Sequence, residues 1–351
     1  MKITFRWYGK EDKIPLEYIR QIPVVSGVVT AIYDTPVGSV WKEESIAEIV
    51  EACQSRGLEC EVIESVPVHE DIKLGLPSAA RYIENYKENI RRLGRRGVKC
   101  ICYNFMPVLD WLRSDLERRS DDGSNSLSYS HGEVLKMNPL TSELSLPGWD
   151  SSYTKSGLKA LLKQYEEIDG EKLWKNLEAF LKEIIPVAEE FGVKMAIHPD
   201  DPPWPIFGLP RIITNYGNLK RFLSIVDSPY NGITLCTGSL GADKNNDLLK
   251  IIDMAKGRIP FVHIRNIKLS GERDFYETAH PSDCGSLDIY KIVKALADGG
   301  FDGYIRPDHG RMIWNERGRY GYGLYDRALG ACYIAGLYEA VEKAEQSFKE
   351  G

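Results

Sequence analysis

Eight short runs rich in valine and isoleucine, each followed by a helical pattern, constrain this chain more than any other feature. They fall at 3–7, 24–32, 58–65, 98–104, 193–199, 232–238, 259–266 and 302–308. Their apolar character is nearly continuous rather than alternating, which is the signature of strands buried on both faces. Helix-like segments at 45–54, 79–93, 172–190, 218–226, 246–255, 286–297 and 324–345 separate or follow them. The segment after the first strand, Pro15 to Ile22, offers barely two turns. Asn218, Asn246 and Ser286 are read as helix caps, and RRGVK (95–99) and EFGVK (190–194) as a helix end, a glycine and a new strand.

Eight such units predict an α/β protein, a (β/α)8 TIM barrel formed by residues 1–351 as a single domain. An open doubly wound sheet is the alternative, weakened because no GxGxxG follows any strand. Residues 112–170 exceed the unit length and read as a long insertion after strand 4, over the top of the barrel, where it could serve as a lid. His131 within it is read as a solvent-exposed loop histidine.

A net charge of -6 argues against nucleic-acid binding. The start, MKITFRWYGKED, has no signal-peptide run and no stretch approaches a membrane span, so no membrane partner and a cytoplasmic location are expected. Seven cysteines occur without a CxxC pair; Cys100 and Cys102 share one strand face and suit buried thiols better than a zinc knuckle.

Active sites of such barrels form at the carboxyl ends of the strands. The last inward positions of strands five to eight are His198, Cys236, His263 and Asp308, each a residue type that binds transition metals. One strand-end histidine or cysteine alone is usually structural; four in register point to a metal. Two imidazoles, a thiolate and a carboxylate exclude Ca²⁺ and disfavour Mg²⁺. Zinc held by all four would be a closed structural site, so a catalytic role favours Mn²⁺ or Fe²⁺. His309 projects at another angle from Asp308 and suits proton transfer, or the orientation of Asp308. Arg265, Arg306, Arg6, Lys73, Arg113 and Arg311 converge on the same end and call for an anion. Tyr320, Tyr322 and Tyr325 stand in a glycine-punctuated turn before the last helix.

Eight stretches stand out in order along the chain: FRWYG, VPVHEDIKLG (66–75), YNFMPVLDW (103–111), IHPDDPPWPIFGLPRI (197–212), LCTGSLG (235–241), VHIRN (262–266), RPDHGR (306–311) and GYGLYDRALG (321–330). Together they resemble the mannonate dehydratases. The resemblance spans nearly the whole chain and implies a hydro-lyase on a xylose-isomerase-like barrel. It would remove water from D-mannonate to give 2-keto-3-deoxy-D-gluconate in glucuronate catabolism, with Mn²⁺ or Fe²⁺. It carries metal ligation onto His198, Cys236, His263 and Asp308, and proton transfer onto His309 and Tyr322, with Tyr325 as a rival. Tyr322 as base and His309 as acid is the favoured order. Arg6, Lys73, Asn104, Arg265, Arg306, Arg311, His69 and His280 are the expected substrate contacts. The partner is then a small sugar acid, and a homodimer is compatible with such barrels. A metal-dependent sugar isomerase or a non-catalytic sugar-acid binding protein is the alternative reading.

Overall fold

The computed structural model describes residues 1–139 and 155–350. Among the described residues twelve strands occur in chain order: β1 (Lys2–Arg6), β2 (Gly27–Thr30), β3 (Glu59–Glu64), β4 (Cys100–Tyr103), β5 (Asp115–Arg119) and β6 (Asn125–Tyr129), then β7 (Lys194–Ile197), β8 (Asn231–Cys236), β9 (Phe261–Ile264), β10 (Ile267–Gly271), β11 (Asp274–Glu277) and β12 (Tyr304–Pro307). Eight of them close a parallel barrel in the order β1-β12-β9-β8-β7-β4-β3-β2. These are the eight apolar runs of the sequence, trimmed at their ends where the chain turns into loops. A buried layer of Val29, Val62, Cys100, Cys102, Ala196 and Phe261 fills the barrel interior. The larger core lies outside it, between strands and helices, and includes Phe5, Ile63, Ile101, Leu177, Phe180 and Ile197.

The helix at 16–20 has five residues, as short as its sequence suggested. Glycines end two helices as expected: Gly97 and Gly192 adopt φ of 88° and 65°, left-handed values that cost glycine little. The expected caps are displaced by one to three residues. Asn215, Asp247 and Asp288, rather than Asn218, Asn246 and Ser286, accept from the first free backbone amides. Asn218 supplies one of the amides that Asn215 caps. In each case a second side chain of capping type stood nearby, and backbone geometry chose between them.

The long segment after β4 contributes β5 and β6, and the segment after β9 contributes β10 and β11; together they form a four-stranded antiparallel sheet, β10-β11-β6-β5. A separate apolar cluster joins this sheet to the barrel loops, with Leu112, Tyr129, Trp204, Leu209, Ile267 and Phe275. His131 is half-buried there rather than free in a loop. Its amide donates to Asp274 Oδ1 at 2.7 Å, and its ring Nδ1 lies 3.0 Å from Tyr129 Oη. The middle of the 112–170 segment, with Pro147 and Gly148, lies outside the described residues. A helix at 155–165 brings Tyr165 back to hydrogen-bond Glu70, which also binds Lys73 at 2.7 Å.

Candidate active site

Parallel register sets the site. Cys236 pairs with His263 and His263 with Arg306, so three neighbouring strand ends stand at one level. The ladder continues one step beyond β7 and β12, where the His198 amide donates to Tyr103 O at 2.6 Å and the Asp308 amide to Ile264 O at 2.8 Å. One ligand atom each of His198, Cys236 and His263 lies within 4.8 Å of the others, a spacing that suits one metal ion. Asp308 borders this group, with Oδ2 3.6 Å from Cys236 Sγ and Oδ1 4.0 Å from His263 Nδ1. His263 Nε2 is buried without a hydrogen-bond partner. His198 Nδ1 donates to Pro199 O at 2.7 Å, which leaves Nε2 unprotonated and available as a ligand. The donor set therefore fits a divalent ion of intermediate softness.

Glu64, Cys102 and His263 form a second close group. Arg306 already occupies Glu64, at 3.1 and 3.0 Å, and its positive charge disfavours a cation there. Arg306 Nη1 also stands 2.8 Å from Asp308 Oδ1, close enough for an ion pair but without the alignment of a hydrogen bond. Burial would push the Asp308 carboxyl up, but His309, Arg306, Arg265 and His263 hold it well below its usual range.

Beside this group lies a chain of three residues. His309 Nε2 is 2.8 Å from Tyr322 Oη, and His309 Nδ1 is 2.8 Å from Glu277 Oε1. Arg265 Nη1 lies 2.9 Å from the same Nδ1 and 3.0 Å from Glu277 Oε1. Arginine can only donate, and an ionised carboxylate facing an imidazole lone pair would repel it. The consistent assignment puts a proton on Nδ1, donated to Glu277, with Arg265 also donating to Glu277 and the phenol donating to Nε2. Burial would push Glu277 up, yet His309, Arg265 and Arg113 keep it below its usual range. Burial pushes the Tyr322 phenol well above its usual range, reinforced by Tyr8 and Asp308 and opposed by Arg306. The Trp111 ring packs over His309 at 4.9 Å between centroids.

Glu277 belongs to a compact buried network. It accepts from Arg113 Nη2 at 2.9 Å, and Arg113 in turn forms a two-bond pair with Asp201 at 2.8 and 2.9 Å. Arg265 also reaches Asp201 at 2.8 Å. Two guanidinium groups and two carboxylates thus balance in a space without water access, as buried charges must. Burial would raise the Asp201 carboxyl, but Arg113 and Arg265 hold it far below its usual range.

The expected substrate contacts divide into two sets. Arg6 is buried, its guanidinium 4.7 Å from the Tyr8 ring, with Nη1 lacking a hydrogen-bond partner. Asn104 Nδ2 donates to Asp110 Oδ1 at 3.0 Å. Asp110 is solvent-accessible but ringed by protein, so burial pushes its carboxyl up against the pull of His198, Lys73 and Arg211. Lys73 donates to Glu70 and, at 2.7 Å, to Met106 O. Arg265 and Arg306 are buried in the charge networks above.

The remaining three make the following protein contacts. His69 Nδ1 accepts from Asp71 N at 3.1 Å, capping the helix at 70–74, and its ring stacks on Tyr82 at 3.6 Å. Arg311 pairs with Asp326 at 2.8 Å and Asp122 at 2.9 Å. His280 is buried against Gly330 of the last helix, where a Cβ would come within 2.5 Å of its Nδ1. Tyr325 is 42% exposed and packs on exposed Trp314, whereas Tyr322 is buried against His309.

Sequence reading missed Glu277 and Asp201. The turn SGERD between two short runs signals a hairpin at 267–277, but nothing local says that its last carboxylate meets a histidine 32 positions on.

The D-mannonate dehydratase (UxuA) family model matches residues 1–348. A mannonate dehydratase of Streptococcus uberis is 57% identical over 346 residues, 98% of this chain and 99% of the relative. Mannonate dehydratase 2 of Halalkalibacterium halodurans is 56% identical over 343 residues, 97% of this chain and 99% of the relative. The crystal structure of mannonate dehydratase from Streptococcus suis serotype 2 superposes with a TM-score of 0.92 at 49% identity, covering 98% of this chain and 96% of that one. D-psicose 3-epimerase of Clostridium cellulolyticum, at TM-score 0.57 and 15% identity, shares the barrel fold. With a family model that matches residues 1–348, full-length relatives and a matching barrel, the chain belongs to the D-mannonate dehydratase family.

Proposed function

We propose that this chain removes water from D-mannonate to give 2-keto-3-deoxy-D-gluconate, with Mn²⁺ or Fe²⁺ as its metal. The observation that carries the reading is the Glu277–His309–Tyr322 chain placed beside the His198–Cys236–His263 group. His198, Cys236 and His263 would hold the ion, with Asp308 completing the set. A bound divalent ion acts as a Lewis acid that makes the proton next to the substrate carboxylate easier to remove.

The protein's own groups account for both protons of the elimination. Tyr322 passes its phenolic proton to Nε2 of His309, and the imidazolium that forms is stabilised by Glu277 at 2.8 Å. The phenolate takes the C2 proton, breaking C2–H, and the electron pair forms the C2–C3 double bond. His309 gives its Nε2 proton to the departing C3 hydroxyl, and water leaves. Tyr322 is again a phenol and His309 again neutral, so the pair resets without an outside proton, and the enol product tautomerises to the 2-keto acid. Burial alone would keep Tyr322 protonated, which is why its base role requires His309 as the immediate acceptor. Arg6 and Arg306 supply positive charge for the substrate carboxylate, and Asn104 and Lys73 face its hydroxyls. No helix among the described residues is long and apolar enough to cross a membrane, and we place the enzyme in the cytoplasm.

The test is metal replacement on chelator-stripped protein: Mn²⁺, Fe²⁺, Zn²⁺ or none is added with D-mannonate, and the 2-keto-3-deoxy product is quantified. Product with Mn²⁺ or Fe²⁺ is expected. A metal-loaded protein that forms no product with any of the three would overturn the reading.

A further inference from the structure

Arg327 is fully buried, at 0% exposure, and no carboxylate among the described residues lies within ion-pair distance of it. Burying a guanidinium without a counter-ion is costly, and proteins retain such a group when its fixed geometry or charge is used. Here its donors converge on backbone carbonyls. Nε donates to Gly323 O at 2.7 Å, Nη2 to Tyr322 O at 2.7 Å and Nη1 to Arg6 O at 3.2 Å. The first two are carbonyls of the turn that carries Tyr322, and the third ends β1. The planar fork therefore ties the glycine-flanked turn to a barrel strand.

Its other contacts bear on the same place. The guanidinium lies 4.0 Å from the Phe5 ring centroid and 5.5 Å from that of Tyr322. Its stem packs against Gly310, where a Cβ would come within 3.0 Å of Arg327 Cγ. Gly310 follows His309 directly, and its amide donates to Gly321 O at 2.8 Å, which joins the two turns that carry Tyr322 and His309. The preceding residue, Asp326, holds Arg311 beyond β12. Glycines flank Tyr322 at 321 and 323, so groups outside the turn hold it: Tyr8 packs on the phenol ring at 5.0 Å, Glu316 accepts from the Leu324 and Tyr325 amides, and Arg327 ties the Tyr322 and Gly323 carbonyls to β1.

We propose that Arg327 is a positioning residue: by clamping the Tyr322 and Gly323 carbonyls to the end of β1, it holds the Tyr322 phenol in line with His309 for proton transfer. This rests on the reading of Tyr322 and His309 as the proton-transfer pair. Arg327 touches neither substrate nor metal in this account, so its loss acts on turnover and leaves substrate affinity nearly intact. A displacement of the phenol by about 1 Å is enough to cost roughly 100-fold in rate.

The experiment uses metal-loaded enzyme with D-mannonate and compares Arg327→Lys, Arg327→Met, Tyr322→Phe and the double variant Arg327→Met/Tyr322→Phe. The expected result is kcat about 100-fold lower in both Arg327 variants, with KM within about threefold of wild type. In the Tyr322→Phe background, Arg327→Met should cost less than about threefold more, because the residue it positions is already gone. Losses that multiply, or a kcat per folded molecule that does not change, would overturn the proposal. A structural role alone would lower Tm and the active fraction without this non-additivity. If Tyr322→Phe leaves no measurable turnover, the crystal structure of Arg327→Met decides. A phenol moved out of hydrogen-bond reach of His309 supports the clamp, and one still at 2.8 Å refutes it. Wild-type turnover by Tyr322→Phe would instead refute the underlying assignment of Tyr322.

Discussion

Replacing Glu277 with Gln tests the proton-transfer chain at its most remote member. The change keeps shape but removes one negative charge from a buried group of two arginines and two carboxylates. In the wild type that charge lies 2.8 Å from His309 Nδ1, where it would stabilise the imidazolium of the proposed mechanism. Opposite unit charges about 4 Å apart interact by about 4 kcal/mol at an effective dielectric near 20. Arg113 and Arg265 share the carboxylate, so we take about 2–3 kcal/mol as the loss felt by the imidazolium. That corresponds to a kcat roughly 30- to 150-fold lower. The assay is steady-state turnover of D-mannonate by metal-saturated enzyme, normalised to folded protein by thermal melting. KM should change little, since Glu277 is buried behind His309 and away from substrate. A Glu277→Gln variant that stays folded and turns over within about threefold of wild type would refute the view that this carboxylate supports the imidazolium.

Three further outcomes can be checked directly. Cys236→Ser should fold normally, because Ser239 and Arg265 still face the position, but should lose metal at least about tenfold more readily, read as metal content after buffer exchange. His69→Ala should lower stability by about 1 kcal/mol through loss of a helix cap, with kcat unchanged; a large fall in kcat would return His69 to the substrate site. The depressed Asp201 carboxyl makes stability fall in acid. Its contribution is fully present above the ordinary carboxylate range near pH 4 and is lost as pH drops below it towards the folded-state value, so Asp201→Asn should flatten the acid limb of Tm against pH.

What the chain determined by itself is what depends on short-range pattern. Eight apolar runs of strand length, each followed by a helical period, leave few ways to bury both faces of every strand, and the barrel follows. The convergence of His198, Cys236, His263 and Asp308 was legible because the period of two and the strand ends place each of them locally, and parallel pairing aligns the ends. Helix caps were less legible, since Asn215 and Asn218 offer the same side chain and only the turn's dihedrals choose between them.

Tertiary structure alone decided which charges meet. Arg113 and Glu277 are 164 positions apart yet form a hydrogen-bonded ion pair, and Arg327 reaches the backbone carbonyl of Arg6 across 321 positions. It also decided that a carboxylate at the end of a hairpin after β9, Glu277, reaches His309 beside the cluster at the barrel strand ends. The protein contacts of His69, His280 and Arg311, a helix cap, a helix contact and an ion pair, were likewise set by packing. The physical reason is one of range. Strand and helix periods are set by the backbone over a few residues, whereas a buried charge is placed by whatever partner the folded chain brings within about 3 Å of it.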